Sequence, residues 1–439
     1  MRKRILITGL YLALASVTLF SQQDSVWSLE NCIDYALKGN IQVRKSILSN
    51  ETSALYADQA RAQRFPSLGV SVNQNFNWTK SSQPGSSGLT SSNGSGYSIN
   101  SGVTLFNYSR IQNLIKQADL QVQSGSYSLQ ATKESISLNI LNAYLQVLYA
   151  EELVNNSSKQ IESTEAQLEL AGERLALKAI SQADYAQVKS QLASEKLTLA
   201  NAESQLAITK VNLMQLMELP VNSDFRISHP DIGENINKNI MPDVAKVFET
   251  SLAIKPQIKS AAINKDIAAL DESIARSGYY PVLSASAGIG SSYSTLSSGS
   301  YFSQVNDAIR PTAGLSLSIP VYQRKQVKTS VAIAKNNYLN AGLSETDTRN
   351  QLRKDIEQAC QDVVSAQIEF EASRENFLSS KESSALSDEK FAQGMINSVD
   401  YMVSKTNLIL SESKFLQSKY NLIFSYKILD FYMGVPFSI

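Results

Sequence analysis

The chain has 439 residues, 40 basic and 40 acidic side chains, a single histidine and two cysteines. A formal net charge of zero excludes a nucleic-acid binder held by electrostatics, and one histidine with two cysteines excludes a disulfide framework or a thiolate metal cluster. The length is ample for a large core, and 43 % of the residues are hydrophobic.

The chain opens Met1-Arg2-Lys3-Arg4, follows with an apolar run from Ile5 to Phe20, and then turns polar at Ser21-Gln22-Gln23-Asp24. A basic start and a short apolar stretch before a small residue predict a secretory signal peptide over residues 1–21. The run is shorter than the roughly 20 residues a spanning helix needs. Removing the leader's basic residues tips the balance only slightly acidic.

A first helix is expected over about residues 29–64, stopped by Pro66, because proline disfavours helix in the residue before it. From Ser67 the period changes to two. Leu68, Val70, Val72, Phe76 and Trp78 alternate with Ser67, Gly69, Ser71, Asn73, Asn75 and Asn77, the pattern of a half-buried or membrane-barrel strand. Residues 80–96 are rich in Ser, Gly, Pro and Asn and read as a loop. A second strand follows over about 97–107, with Tyr97, Ile99, Val103 and Leu105 on one face.

From about 108 to 178 there is no proline, and two apolar stripes run at helical spacing: Leu138, Leu141, Leu145, Leu148 and Ile136, Ile140, Tyr144, Val147. Two stripes predict a neighbour on each side, as in a ring of helices, where an ordinary surface helix needs one. Near 70 residues make a helix of about 105 Å at 1.5 Å per residue. A medium helix over about 182–217 completes the first half. A polar segment, 221–241, carries the only histidine, His229, read as a linker residue.

The second half repeats this order. A helix is predicted over about 242–278, strands over about 282–293 and 309–321 around a loop at 291–304, a long helix over about 323–393 and a medium helix over about 397–433. In the long helix Leu352, Ile356, Ala359, Val363, Ala366, Phe370 and Phe377 fit a heptad seam. The repeat is visible residue by residue at an offset of 216: Glu173-Arg174-Leu175-Ala176 matches Glu389-Lys390-Phe391-Ala392, and Asp184-Tyr185 matches Asp400-Tyr401. Upstream it slips to 215, as at Phe65-Pro66 against Tyr280-Pro281. So long a period rules out a solenoid, whose units are about 20–50 residues. The expected domains are therefore a first repeat over 22–220, the linker at 221–241 and a second repeat over 242–439.

Four amphipathic strands cannot close a barrel, and open sheet edges are not tolerated in lipid. Three copies give twelve strands, within the known range, whereas two give eight, whose interior side chains fill. Gly288-Ile289-Gly290 lacks the third glycine and following helix of a dinucleotide fingerprint and reads as barrel packing. Trp78 and Tyr293 are candidate belt aromatics. Cys32 and Cys360 read as small packing residues. With no clustered ligands or phosphate loop, no enzyme, cofactor or metal is expected.

The two half-repeats, the joints Thr104-Leu105-Phe106-Asn107 and Ile319-Pro320-Val321-Tyr322, and the turns at Arg174–Tyr185 and Lys390–Tyr401 together resemble the TolC family of outer-membrane channel-tunnels, across about residues 28–436. The resemblance implies a mostly α chain with a membrane β-barrel portion. It implies a homotrimer whose twelve-stranded barrel, four strands per chain, continues into a long periplasmic α-helical barrel. It further implies a place in the outer membrane of a Gram-negative bacterium and contact with its lipid. The implied partners are a periplasmic adaptor protein and, through it, an inner-membrane transporter of the RND or ABC class. Tripartite small-molecule efflux is the function implied, with the outer component of type I protein secretion as the alternative.

Mapped onto this chain, Gly394 takes the tip glycine of the second turn, Asp400 the entrance-ring aspartate and Asp184 the link-forming aspartate of the first turn. Phe391 stands where some members carry a tyrosine, Ile396 where some carry arginine, Val403 where some carry a second ring aspartate, and Lys178 replaces the first-turn glycine. Asp184, Asp400 and Phe391 are thus the expected gate residues. Arg174, Lys178, Lys390 and Gly394 are the expected adaptor-contact tips.

Overall fold

The computed structural model describes residues 26–80, 89–220, 225–229 and 242–436. The leader, most of the linker and the tip of the first strand–strand connection lie outside them. In chain order the elements are α1 (Leu29–Gly39), α2 (Ile41–Ala62), β1 (Ser67–Lys80), β2 (Leu89–Phe106), α3 (Arg110–Ala176), α4 (Gln182–Leu216), α5 (Val244–Ile254), α6 (Pro256–Ser277), β3 (Val282–Ser294), α7 (Tyr301–Asp307), β4 (Arg310–Ser318), α8 (Gln326–Ala392) and α9 (Ser398–Met433). The long helices α3 and α8 each have 67 residues, so each extends about 100 Å.

Three expectations are corrected. The first helix is two helices, broken at Asn40, which is extended (φ −61°, ψ 131°). Its side-chain amide donates to Leu216 O at 3.0 Å, satisfying a carbonyl at the end of α4. The equivalent break in the second half falls at Lys255 (φ −66°, ψ 125°), where Pro256 takes the first helical position, a site that needs no amide donor. Secondly, the stretch read as a loop up to Gly96 is strand from Leu89 onward, paired residue for residue with β1 as far as Lys80 opposite Leu89. Thirdly, the connection after β3 contains a short helix, α7, whose N-cap Ser300 accepts from Ser303 N, and β4 ends at Ser318, short of Ile319 and Val321.

The chain divides into two compact units, one built from Gln42–Lys133 and Phe248–Asp355, the other from the remaining segments. The first unit holds a single antiparallel sheet in the order β1-β2-β3-β4. Cross-strand partners face the same side, so the register carries one residue's orientation across the sheet. Val70 pairs with Ile99, Ile99 with Ile289 and Ile289 with Pro311. Leu68, Val72, Phe76, Trp78, Tyr97, Val103, Ala285, Tyr293 and Leu315 share that face. The other face carries Ser71, Asn73, Ser98, Asn100, Gly288 and Thr312. Among the described residues nothing covers the apolar face at its edges, where Val70 is 71 % and Leu315 73 % exposed. Among the described residues β1 pairs only with β2, and β4 only with β3, so both outer edges keep free backbone donors and acceptors.

Among the described residues the second unit is helical apart from one isolated β-bridge. Both stripes of α3 are buried there: Ile140, Leu141, Tyr144, Val147 and Leu148 are at most 1 % exposed. The Tyr144 hydroxyl lies 2.7 Å from Ser228 O and 3.2 Å from Trp27 O, tying α3 to the short parallel bridge between Trp27 and Ile227. In the heptad seam of α8, Ile356, Val363 and Phe370 are buried, and Phe377 stacks on Phe415 at 5.3 Å. Cys32 and Cys360 are buried packing residues, and burial pushes the Cys32 thiol up to about 12. Among the described residues no helix is long and apolar enough to cross a membrane.

The duplication reaches the backbone. Residues other than glycine with positive φ are Tyr108, Ser109, Lys178, Glu218, Arg324 and Lys325, and Gly394 and Gly434 share that conformation. They form four pairs at the same offset of 216: Tyr108 with Arg324, Ser109 with Lys325, Lys178 with Gly394, and Glu218 with Gly434. The first two pairs turn each strand into its long helix. The last two end helices, and the reason is local. After α3, Lys178 N bonds to Leu175 O and Ala179 N to Arg174 O; after α8, Gly394 N bonds to Phe391 O and Met395 N to Lys390 O. This double closure needs a left-handed residue just past the helix.

Candidate functional site

The two helix-to-helix turns, α3–α4 and α8–α9, lie in the helical unit and bring the expected gate and tip residues together. Ser181 caps α4 in a reciprocal box: Asp184 N donates to Ser181 Oγ at 3.1 Å, and Ser181 N donates to Asp184 Oδ2 at 3.2 Å. Asn397 and Asp400 repeat the arrangement 216 residues on, with Asp400 N to Asn397 Oδ1 at 2.9 Å and Asn397 Nδ2 to Asp400 Oδ2 at 3.0 Å. Each aspartate thus sits where a carboxylate favours the start of a helix.

The turns are also bonded to each other, with donors on both sides. Ser398 Oγ donates to Asp184 Oδ1 at 2.6 Å. The hydroxyls of Ser181 and Ser398 together hold the Asp184 carboxyl below its ordinary value. Arg174, in the last turn of α3, donates through Nη1 to Phe391 O at 3.0 Å and through Nη2 to Ala392 O. It therefore adds a donor to the carbonyls at the end of α8, where Phe391 O already accepts from Gly394 N. Phe391 stacks on Tyr401 at 4.5 Å and 12°. Tyr401 is 2 % exposed, and burial, then the nearby Asp388 carboxylate, push its phenol well above the ordinary range.

Sequence reasoning missed Asp388, Gln167 and Lys405. Lys405, buried, pairs with Asp388 at 2.9 Å, and Gln167 Nε2 donates to the same carboxylate at 3.1 Å. No sequence pattern signalled this pair, whose members stand 17 residues apart on either side of the α8–α9 turn. Of the expected tip residues, Lys178, Lys390, Gly394 and Asp400 are exposed, while Arg174, Phe391 and Asp184 are half-buried. Asp184 and Arg174 hold the two turns together; Lys178 and Gly394 shape the ends of the long helices. No group of residues able to hold a metal ion occurs among the described residues. His229 stands 3.0 Å from Glu151, which also pairs with Lys210 at 2.7 Å.

A family model described as outer membrane efflux protein matches residues 32–218 and 247–435. The chain is 20 % identical to the outer membrane protein TolC of Escherichia coli (strain K12) over 417 residues, spanning 92 % of this chain and 82 % of that protein. Among solved structures, the Campylobacter jejuni CmeC outer membrane channel matches with a TM-score of 0.76 at 18 % identity, over 92 % of this chain and 85 % of that one. The outer membrane protein VceC from Vibrio cholerae matches with a TM-score of 0.76 at 16 % identity, over 93 % and 97 %. The chain belongs to the outer membrane efflux protein family, a protein of the Gram-negative outer membrane with the TolC-like fold and its internal duplication.

Proposed function

We propose that this protein is the outer-membrane exit duct of a tripartite efflux system, a homotrimer that passes small molecules outward without chemistry of its own. The observation that carries the reading is the sheet: among the described residues one face is apolar and uncovered, the other polar, and both edges are unpaired. The apolar positions of β1 run from Leu68 to Trp78, roughly 33 Å of strand at 3.3 Å per residue. Tilted by ~40°, that matches the ~25 Å apolar band of a membrane barrel. Three copies close twelve strands and leave a lumen lined by the Ser/Asn/Gly face. The helices extend this passage into the periplasm, where Arg174, Lys178, Lys390 and Gly394 meet an adaptor protein that connects to an inner-membrane transporter. Asp184, Asp400 and Phe391 belong to an iris-like gate at that end.

The test is purification from outer membranes in mild detergent. A trimer that dissociates on heating and conducts ions in a planar bilayer is expected. A monomer that leaves the bilayer silent would overturn the reading.

A further inference from the structure

The helical unit contains a cleft of about 280 Å³ between α3, α4 and α9 that neither the turns nor the sheet explain. Its walls are apolar at Leu153, Ile409 and Leu416, and two carboxylates line it, Glu195 and Glu412. Glu195 is only 4 % exposed. One of its oxygens is held: Oε1 accepts from Gln191 Nε2 at 2.8 Å and, more weakly, from Gln160 Nε2 at 3.5 Å. The other, Oε2, is buried without a hydrogen-bond partner. A desolvated carboxylate oxygen left unsatisfied costs free energy that a cation brought against it recovers.

Glu412, half-buried, adds a second acidic group. Burial holds its carboxyl above its ordinary value against the pull of Lys381 and Lys159, the lysines that face it. Those lysines therefore do not offset the desolvation of Glu412.

We propose that this cleft is a binding site for an amphiphilic organic cation, its ammonium group against Glu195 Oε2 and its apolar body against Leu153, Ile409 and Leu416. A carboxylate with one oxygen anchored and the other unpaired takes the head group once the ligand reaches it. The volume is close to the lower end of small-ligand pockets, about 300 Å³, which suits one aromatic ring and a short amine arm. A bare metal ion suits the cleft less, since among the described residues no group of three or more carboxylate, histidine or cysteine side chains could hold one.

The probe is 2-phenylethylamine, with 2-phenylethanol as its neutral counterpart, titrated into the full chain in detergent and followed by saturation-transfer NMR. Saturable binding of the amine is expected, at least tenfold tighter than the alcohol. Glu195→Gln should bring the amine down to the level of the alcohol, and Leu153→Trp, which fills the cleft, should abolish both. Equal binding of amine and alcohol, an unchanged affinity in Glu195→Gln, or no saturable binding would each overturn the proposal. Should Glu195→Gln fail to fold by circular dichroism, Leu153→Trp decides: amine binding that survives it refutes the site. The readout does not depend on conductance, so its failure leaves the export reading standing.

Discussion

Lys178 and Gly394 occupy the same left-handed position in the two halves, one with a side chain and one without. A side chain in that conformation costs roughly 1–2 kcal/mol, partly offset by the freedom glycine adds to the unfolded chain, about 0.4–1 kcal/mol. No atom lies within 4 Å of where a Cβ on Gly394 would stand, so conformation alone sets the cost. Gly394→Ala is expected to destabilise by about 1 kcal/mol and Lys178→Gly to stabilise by somewhat less, read from thermal denaturation.

The Ser398–Asp184 bond gives a residue-scale test in pH. Because the Asp184 carboxyl is held below its ordinary value, its contribution is present above the unfolded-state value and is lost as pH falls through the folded one. Ser398→Ala should therefore lower stability at pH 7 by less than about 1 kcal/mol, solvent screening keeping it small. The difference from the parent should fade as the pH is taken below the ordinary carboxylate range. Thermal unfolding of the two proteins across that range measures it.

At the scale of elements, the sheet separates what a strand pattern reveals from what it hides. The alternation in β1 was legible because its apolar positions are large. The start of β2 was not: Ser91, Ser92, Asn93, Gly94 and Ser95 form strand through their register with β1, and their composition is that of a loop. The helix break was half legible, since Pro256 announces the one before α6, whereas Asn40 acts through a carbonyl 176 residues away. The two faces predict opposite responses to charge. Val70→Arg, on the face proposed to meet lipid, should cost about 2–4 kcal/mol and deplete the folded, heat-modifiable form in outer membranes. Asn73→Arg, on the other face, should leave that form intact. Equal loss in both would contradict the assignment of faces.

At the scale of the molecule, the candidate gate is a structural joint, and in the proposed trimer it is also the entrance. Asp400 is exposed and bonded only within its own turn among the contacts described, whereas Asp184 is committed to Ser181 and Ser398. Asp400 is therefore the aspartate available to the passage in the proposed trimer. Asp400→Asn should weaken cation selectivity in reversal-potential measurements across a planar bilayer. Unchanged selectivity would leave Asp400 with its capping role alone.

From the amino acids alone came the duplication, the strand faces and the length of the long helices, because each is a periodicity or an offset written along one dimension. The positions of Asp184 and Asp400 just past the turns were legible on the same grounds. Only the tertiary structure decided that Arg174 closes the end of α8, that Ser398 reaches Asp184, that Lys405 neutralises Asp388 and that Glu195 keeps one oxygen unmatched. The first two bonds join residues more than 200 positions apart, and the other two depend on which side of a helix is buried against which neighbour. Chain folding makes such contacts, and no local pattern records them.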